Sequence, residues 1–327
     1  MSNPVFGNLW NPSAFQGFGR KRSYFEGWYH KHVNAQKNAV YSLIPGISYN
    51  EKGQGQAFLQ MIRGSDGSTV YLPFSTDEFQ PDTQRYELIL GKSRFSATGI
   101  DLNVDTPQLK LKGSVEYLNP VSSPVSLFRP GIMGWYRYVP QMECLHGLVS
   151  LDHGLEGALE INGEIIDFSG GRGYLEKDWG RSMPQSWIWF QTNAFEEQGV
   201  SCMVSVARIP WMGSSFPGFL AVLHRPGQGT TTWATYTGAK LVKGALGEKS
   251  VELEIRGSKT TLCLEASRSV MGFLQAPLQG AMDRRIAESV DAKARVTLKD
   301  KRGQILWTGN ADPCGLELVG EAQGLFP

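Results

Sequence analysis

From Tyr24 onward the chain advances in short runs where apolar and polar residues alternate, and most runs close on a turn signal. Period-two spacing sends alternate side chains to opposite faces of an extended strand, so such runs bury a face only when laid side by side in a sheet. The runs at 24–33, 39–44, 56–62 and 69–72 are separated by the Asn50 to Gly55 stretch and by Ser65, Asp66 and Gly67. Asn162-Gly163 and the Lys301 to Gly303 segment mark later hairpins. This punctuation predicts an all-β fold with roughly nine or ten strands on each side of residue 178, arranged as two tandem antiparallel barrels or curled sheets. Closing a sheet removes exposed edges. The expected domains are 1–178 and 179–327. One stretch reads as a minor helix near the C-terminus, Met282 to Ala292, with Asp283, Arg284, Arg285 and Glu288 on an exposed face.

Two regions break the alternation. The first twenty residues, rich in Asn, Pro, Gly and Phe, read as an ordered arm with little regular structure. Residues 119–141 carry four prolines and an aromatic cluster around Trp135, and read as a long packed loop.

Composition removes several function classes. Lys plus Arg number 32 against 31 for Asp plus Glu, and no basic block interleaves with aromatics, so no nucleic-acid footprint is present. The chain has no Walker A sequence and no nucleophile elbow. Cys144, Cys202, Cys263 and Cys314 lie scattered without a CxxC and are expected as reduced thiols. Neither a signal peptide nor an eighteen-residue apolar run is visible, which leads to the expectation of a cytoplasmic protein, with peripheral contact with a membrane left open.

The densest chemistry lies between Gly173 and Asn193. Glu176, Lys177 and Asp178 stand beside Trp179, behind a glycine-rich stretch, and read as a loop carrying carboxylates to a pocket mouth. A strand-like run follows in which Trp187, Trp189, Gln191 and Asn193 share one face, pairing indole surface with orienting amides. The plainer alternative is a charged turn beside an ordinary aromatic strand. Near the N-terminus Glu26, Trp28 and His30 share a strand face, flanked by Tyr29. A buried Glu26 would have its pKa raised by desolvation and could hold a proton near neutrality, whereas a Glu26 in a salt bridge would be structural. His30 and His32 have a ligand-like H-x-H spacing, but no carboxylate follows closely, so no metal and no other cofactor is expected.

Together, the Phe25 to Tyr29 motif (F-E-G-W-Y), the Tyr174 to Gly180 motif (Y-L-E-K-D-W-G) and the Trp187 to Asn193 pattern (W-x-W-x-Q-x-N) resemble the tocopherol cyclase family. The segment from Ala311 to Gly320 also resembles the ending of that family. Asp178 stands where the family has Asn, and Met183-Pro184 where it has Phe-Pro. The resemblance implies a tandem lipocalin-like architecture, similar to carotenoid hydratase and AttH-like proteins. It also implies a hydrophobic substrate such as a prenylated quinol. In the reaction so implied, a prenyl double bond is protonated and the tertiary cation is captured by a phenol oxygen, closing a ring. Asp178 or Glu26 would donate the proton, with Glu176 and Lys177 tuning the site. Trp28, Trp187 and Trp189 would stabilise the cation, Gln191 and Asn193 would hold the quinol hydroxyls, and Tyr29 and Trp179 would line the site. The alternatives are a non-catalytic carrier of a hydrophobic molecule and an isoprenoid hydratase.

Overall fold

A computed structural model describes residues 8–326 except 124, 127, 128, 140, 141, 212 and 269. The expected arm therefore lies partly outside the described residues, as do parts of the 119–141 loop. Strands dominate, the helical segments being short 3-10 turns such as Ala322–Leu325 near the C-terminus. No helix among the described residues is long and apolar enough to cross a membrane.

The strands form two antiparallel sheets, of 12 and 10 strands. The first runs in the order Thr69–Phe74, Gly55–Arg63, Val40–Tyr49, Tyr24–Val33, Arg172–Gly180, Cys144–Ile161, Lys110–Leu118, Gly99–Asp105, Ser93–Ser96, Glu87–Leu90, Phe79–Pro81. In the second, Trp187–Thr192 lies between Ser201–Trp211 and Ile305–Val319, and Ala281–Asp300 follows next. Each path ends in two separate edges among the described residues, so these are curled sheets and not closed rings.

The chain divides into two compact units. The first comprises residues 1–63, 68–183 and 274–285; the second comprises residues 64–67, 184–273 and 286–327. Each has its own core, built by the alternation seen in the sequence. Ile100, Leu102 and Val104 are buried along Gly99–Asp105 while the residues between them are exposed, and they join Leu88, Phe95, Leu111 and Leu175 in the first core. Ile188, Phe190, Cys202, Val204 and Leu316 build the second. Burying each such side chain stabilises the fold by about 1.5–3 kcal/mol.

The expected helix is a strand. Met282 to Ala292 lies within Ala281–Asp300, where Met282, Ile286, Glu288, Val290 and Ala292 are buried with a period of two. Pairing of this strand with Gly272–Leu278 and, from Glu288 onward, with Ile305–Val319 outweighs the local helical pattern, and Glu288 is fully buried, not on an exposed face. All four cysteines are free thiols.

Candidate functional site

The charged triplet is not on a loop. Glu176, Lys177 and Asp178 lie within Arg172–Gly180, which pairs with Tyr24–Val33 on one side and with Cys144–Ile161 on the other. A central strand alternates its side chains, so the triplet is split between two faces. Lys177 points into the first core with Leu175, while Glu176 and Asp178 point to the opposite face.

On the core side, Lys177 meets Glu26. Both are fully buried, with Nζ 2.5 Å from Oε1. Glu26 also accepts from the Tyr24 hydroxyl at 2.5 Å and from the Gln16 backbone N–H at 3.0 Å. Lys177 donates to the Ala14 carbonyl, and its Nζ lies 4.9 Å from the Trp28 ring centroid and 4.6 Å from that of Trp179. Arg137 covers Trp179 from another direction at 4.8 Å. Burial raises the Glu26 pKa, and the Lys177 charge only partly offsets it; burial likewise brings Lys177 down to about 8. The arm is fastened here, since Trp28 Nε1 donates to Ser13 O at 2.9 Å and Phe15 enters the core.

Deeper in the same core the sequence's H-x-H pair serves hydrogen bonding. His30 lies between the Tyr117 hydroxyl (2.7 Å) and the Tyr86 hydroxyl (2.5 Å), and His32 Nε2 lies 2.8 Å from Tyr117. Two register shifts in Cys144–Ile161 bring His153 opposite Gly173. A Cβ at Gly173 would fall 2.2 Å from His153 Nε2, so only glycine leaves room for that imidazole. Burial lowers the pKa of all three histidines, His32 to about 3, and they are neutral at physiological pH.

The opposite face carries a different cluster. Tyr29, Tyr174, Glu176 and Asp178 point here, joined by His146, which stands directly across from Asp178 in the antiparallel register. His146 Nδ1 lies 2.8 Å from Asp178 Oδ1, and Nε2 lies 3.4 Å from Glu176 Oε2. The Tyr174 hydroxyl donates to the same Glu176 oxygen at 2.5 Å. Burial presses the His146 pKa down, but the Glu176 and Asp178 carboxylates outweigh it and hold it well above the usual histidine range. The three ligand atoms lie within 4.8 Å of one another, a spacing open to a cation. Sequence reasoning missed His146, because its partner lies 32 residues away and is brought close only by strand register.

In the second unit, Trp187, Trp189 and Gln191 alternate with Ile188 and Phe190 along Trp187–Thr192, and Asn193 follows. Ile188 and Phe190 enter the core, so the expected face is real and lies on the other side of the sheet. All four of its residues are buried. The Trp187 indole N–H donates to Glu317, and a Cβ at Gly315 would fall 2.6 Å from the Trp189 ring, so that glycine makes room for the indole.

A family model described as tocopherol cyclase-like matches residues 124–320, more than half of the chain. A maize chloroplastic tocopherol cyclase is 28% identical over 160 residues, covering 44% of this chain and 33% of the maize protein. A probable chloroplastic tocopherol cyclase of rice is 36% identical over 63 residues, covering 19% of this chain and 13% of the rice protein. The chain thus spans a third or less of these relatives. Among solved structures, CghA with Sch210972 superposes with a TM-score of 0.54 at 11% identity, covering 91% of this chain and 88% of that one. Kievitone hydratase from Nectria haematococca gives 0.51 at 10% identity, covering 90% and 89%. An AttH-type protein from Nitrosomonas europaea gives 0.52 at 12%, covering 91% and 93%. These likenesses show the shared tandem lipocalin-like fold.

Proposed function

The chain belongs to the tocopherol cyclase-like family, and from that membership we propose that it is an acid-catalysed enzyme acting on a prenylated quinol or related isoprenoid. The observation that carries the reading is the His146 imidazole held against Asp178, with Glu176 3.4 Å from its other nitrogen. The His146–Asp178 dyad gives a proton to a prenyl double bond, and the tertiary cation is captured by the phenol oxygen. The phenolic proton then returns to the dyad. One group acts as acid and then as base, and the reaction is a net isomerisation needing no external oxidant or reductant. Glu176, fixed by Tyr174, offers a negative charge toward the developing cation.

Of the two carboxylates, Asp178 is the one suited to proton delivery, as the partner that holds the His146 imidazole. Glu26 already takes Lys177, the Tyr24 hydroxyl and the Gln16 N–H, which leaves its oxygens saturated and occupied by the arm. Trp28 and Trp179 lie against the Lys177 cation, and we read them as partners of that pair rather than of the substrate. Taken by itself, the Trp187 and Trp189 face of the second unit, with Gln191 and Asn193, has the make-up of a wall for an apolar ligand.

The test is incubation with prenylated hydroquinones, followed by chromatography and mass spectrometry. The expected product has the mass of its precursor and a new retention time, and Asp178→Asn abolishes it while circular dichroism stays unchanged. A product heavier by one water would make the protein a hydratase. Tight binding without conversion would make it a carrier and overturn the enzyme reading.

A further inference from the structure

The cluster of His146, Glu176 and Asp178 has a spacing that hydrogen bonding leaves partly unexplained. His146 Nδ1 lies 2.8 Å from Asp178 Oδ1, yet Nε2 is buried, makes no hydrogen bond, and faces Glu176 Oε2 at 3.4 Å. A charge-assisted hydrogen bond there would be about 2.7–2.9 Å long. Two ligand atoms of a tetrahedral zinc ion, each about 2.1 Å from the metal, stand about 3.4 Å apart. One ligand atom from each of the three residues lies within 4.8 Å of the other two. We propose that this cluster binds a divalent transition-metal ion of the zinc type, and that the ion shuts off the acid step by taking the place of the proton. The inhibitory part rests on the acid-catalysis reading; the binding does not.

The donor set selects the metal. An imidazole nitrogen favours zinc, iron or copper over magnesium and calcium, and the two carboxylates balance a divalent charge. His146 binds through Nε2 while Nδ1–H donates to Asp178, the arrangement that ordinarily fixes the tautomer of a metal-binding imidazole. Glu176 is only 5% exposed, and the Tyr174 hydroxyl holds its Oε2 at 2.5 Å, as ligating carboxylates are commonly held. Cys144 stands two residues before His146 on the same strand and shares its face. Its Sγ lies 4.0 Å from Asp178 Oδ1 and 3.7 Å from Met183 Sδ, so soft donors that magnesium does not use border the site. Three protein ligands leave a fourth zinc position to water. Binding releases the acidic proton of the cluster to solvent, and the dyad then has none to give an alkene.

The experiment is isothermal titration of the chelator-treated full chain with zinc chloride, repeated with cobalt(II) so that visible absorption reports the ligands. The expected result is saturable binding that His146→Gln and Glu176→Gln each weaken by at least about tenfold, with circular dichroism unchanged. His224→Gln, in the second unit, should bind as wild type does. No saturable binding by wild type, or binding that His146→Gln and Glu176→Gln leave intact, overturns the proposal. Turnover of a prenylated hydroquinone should fall over the same zinc range and return on chelation with EDTA. Zinc saturation with undiminished turnover overturns the inhibitory part together with the dyad as acid, and leaves the metal site standing. Turnover that requires the ion overturns the inhibitory part alone. Zinc binding as expected in a chain that converts no prenylated hydroquinone removes the acid reading, and the inhibitory part with it.

Discussion

Replacing Lys177 with Met should be among the most damaging single changes in the first unit. The ammonium is fully buried, 2.5 Å from a carboxylate that is itself fully buried. Removing one partner of such a pair leaves an uncompensated charge and costs about 3–5 kcal/mol. Glu26 would keep the Tyr24 hydroxyl and the Gln16 N–H, which places the cost toward the lower end, but Ala14 O would lose its donor. Expressed as amide protection, this is a loss of about two to four decades in the Tyr24–Val33 and Arg172–Gly180 strands. Native-state hydrogen exchange read by mass spectrometry measures it strand by strand. The pH dependence supplies a second check. Without Lys177 the Glu26 pKa rises further above its unfolded value, so the folded state binds more protons and the variant regains stability, relative to wild type, as pH falls. Glu26→Gln together with Lys177→Met removes both charges and should recover most of the protection. A loss of less than about tenfold, independent of pH and unrelieved in the double variant, would refute the coupled-pair reasoning.

Two further outcomes follow from the buried histidines. His30, His32 and His153 stay neutral in the fold but charge near pH ~6.5 when unfolded, so the unfolded chain binds more protons below that pH and stability falls with acidification, by about 1.4 kcal/mol per pH unit for each histidine. For His32 this window runs from ~6.5 down to about 3, and His32→Gln should flatten the slope of urea stability against pH by about one proton. Gly173→Ala should cost about 1–3 kcal/mol by forcing a methyl into the His153 ring, and His153→Ala in the same chain should restore much of it; an unchanged thermal midpoint in the single variant would contradict the close approach.

The two sheets were legible because most strands have one face on a core, which writes itself as alternation. Ile100, Leu102 and Val104 are typical of this. The same periodicity correctly placed Trp187, Trp189 and Gln191 on one face. Two features misled. Three consecutive charges after glycines look like a loop, yet Glu176, Lys177 and Asp178 each have a partner from a distant part of the chain: His146, Glu26 and His146 respectively. Charges at Asp283, Arg284, Arg285 and Glu288 look like a helix face, yet pairing of their strand with Gly272–Leu278 and Ile305–Val319 enforces a period of two. His146 was invisible for the same reason as the Glu26–Lys177 pair: antiparallel register creates both contacts, and register is not written locally in one sequence.

The central claim is that a proton is delivered to carbon. It is tested most directly by turnover of a prenylated hydroquinone in deuterium oxide. The account predicts a ring-closed product carrying one non-exchangeable deuterium on the former alkene carbon, formed by wild type and absent with Asp178→Asn. Ring closure without deuterium, or equal labelling by Asp178→Asn, would contradict it.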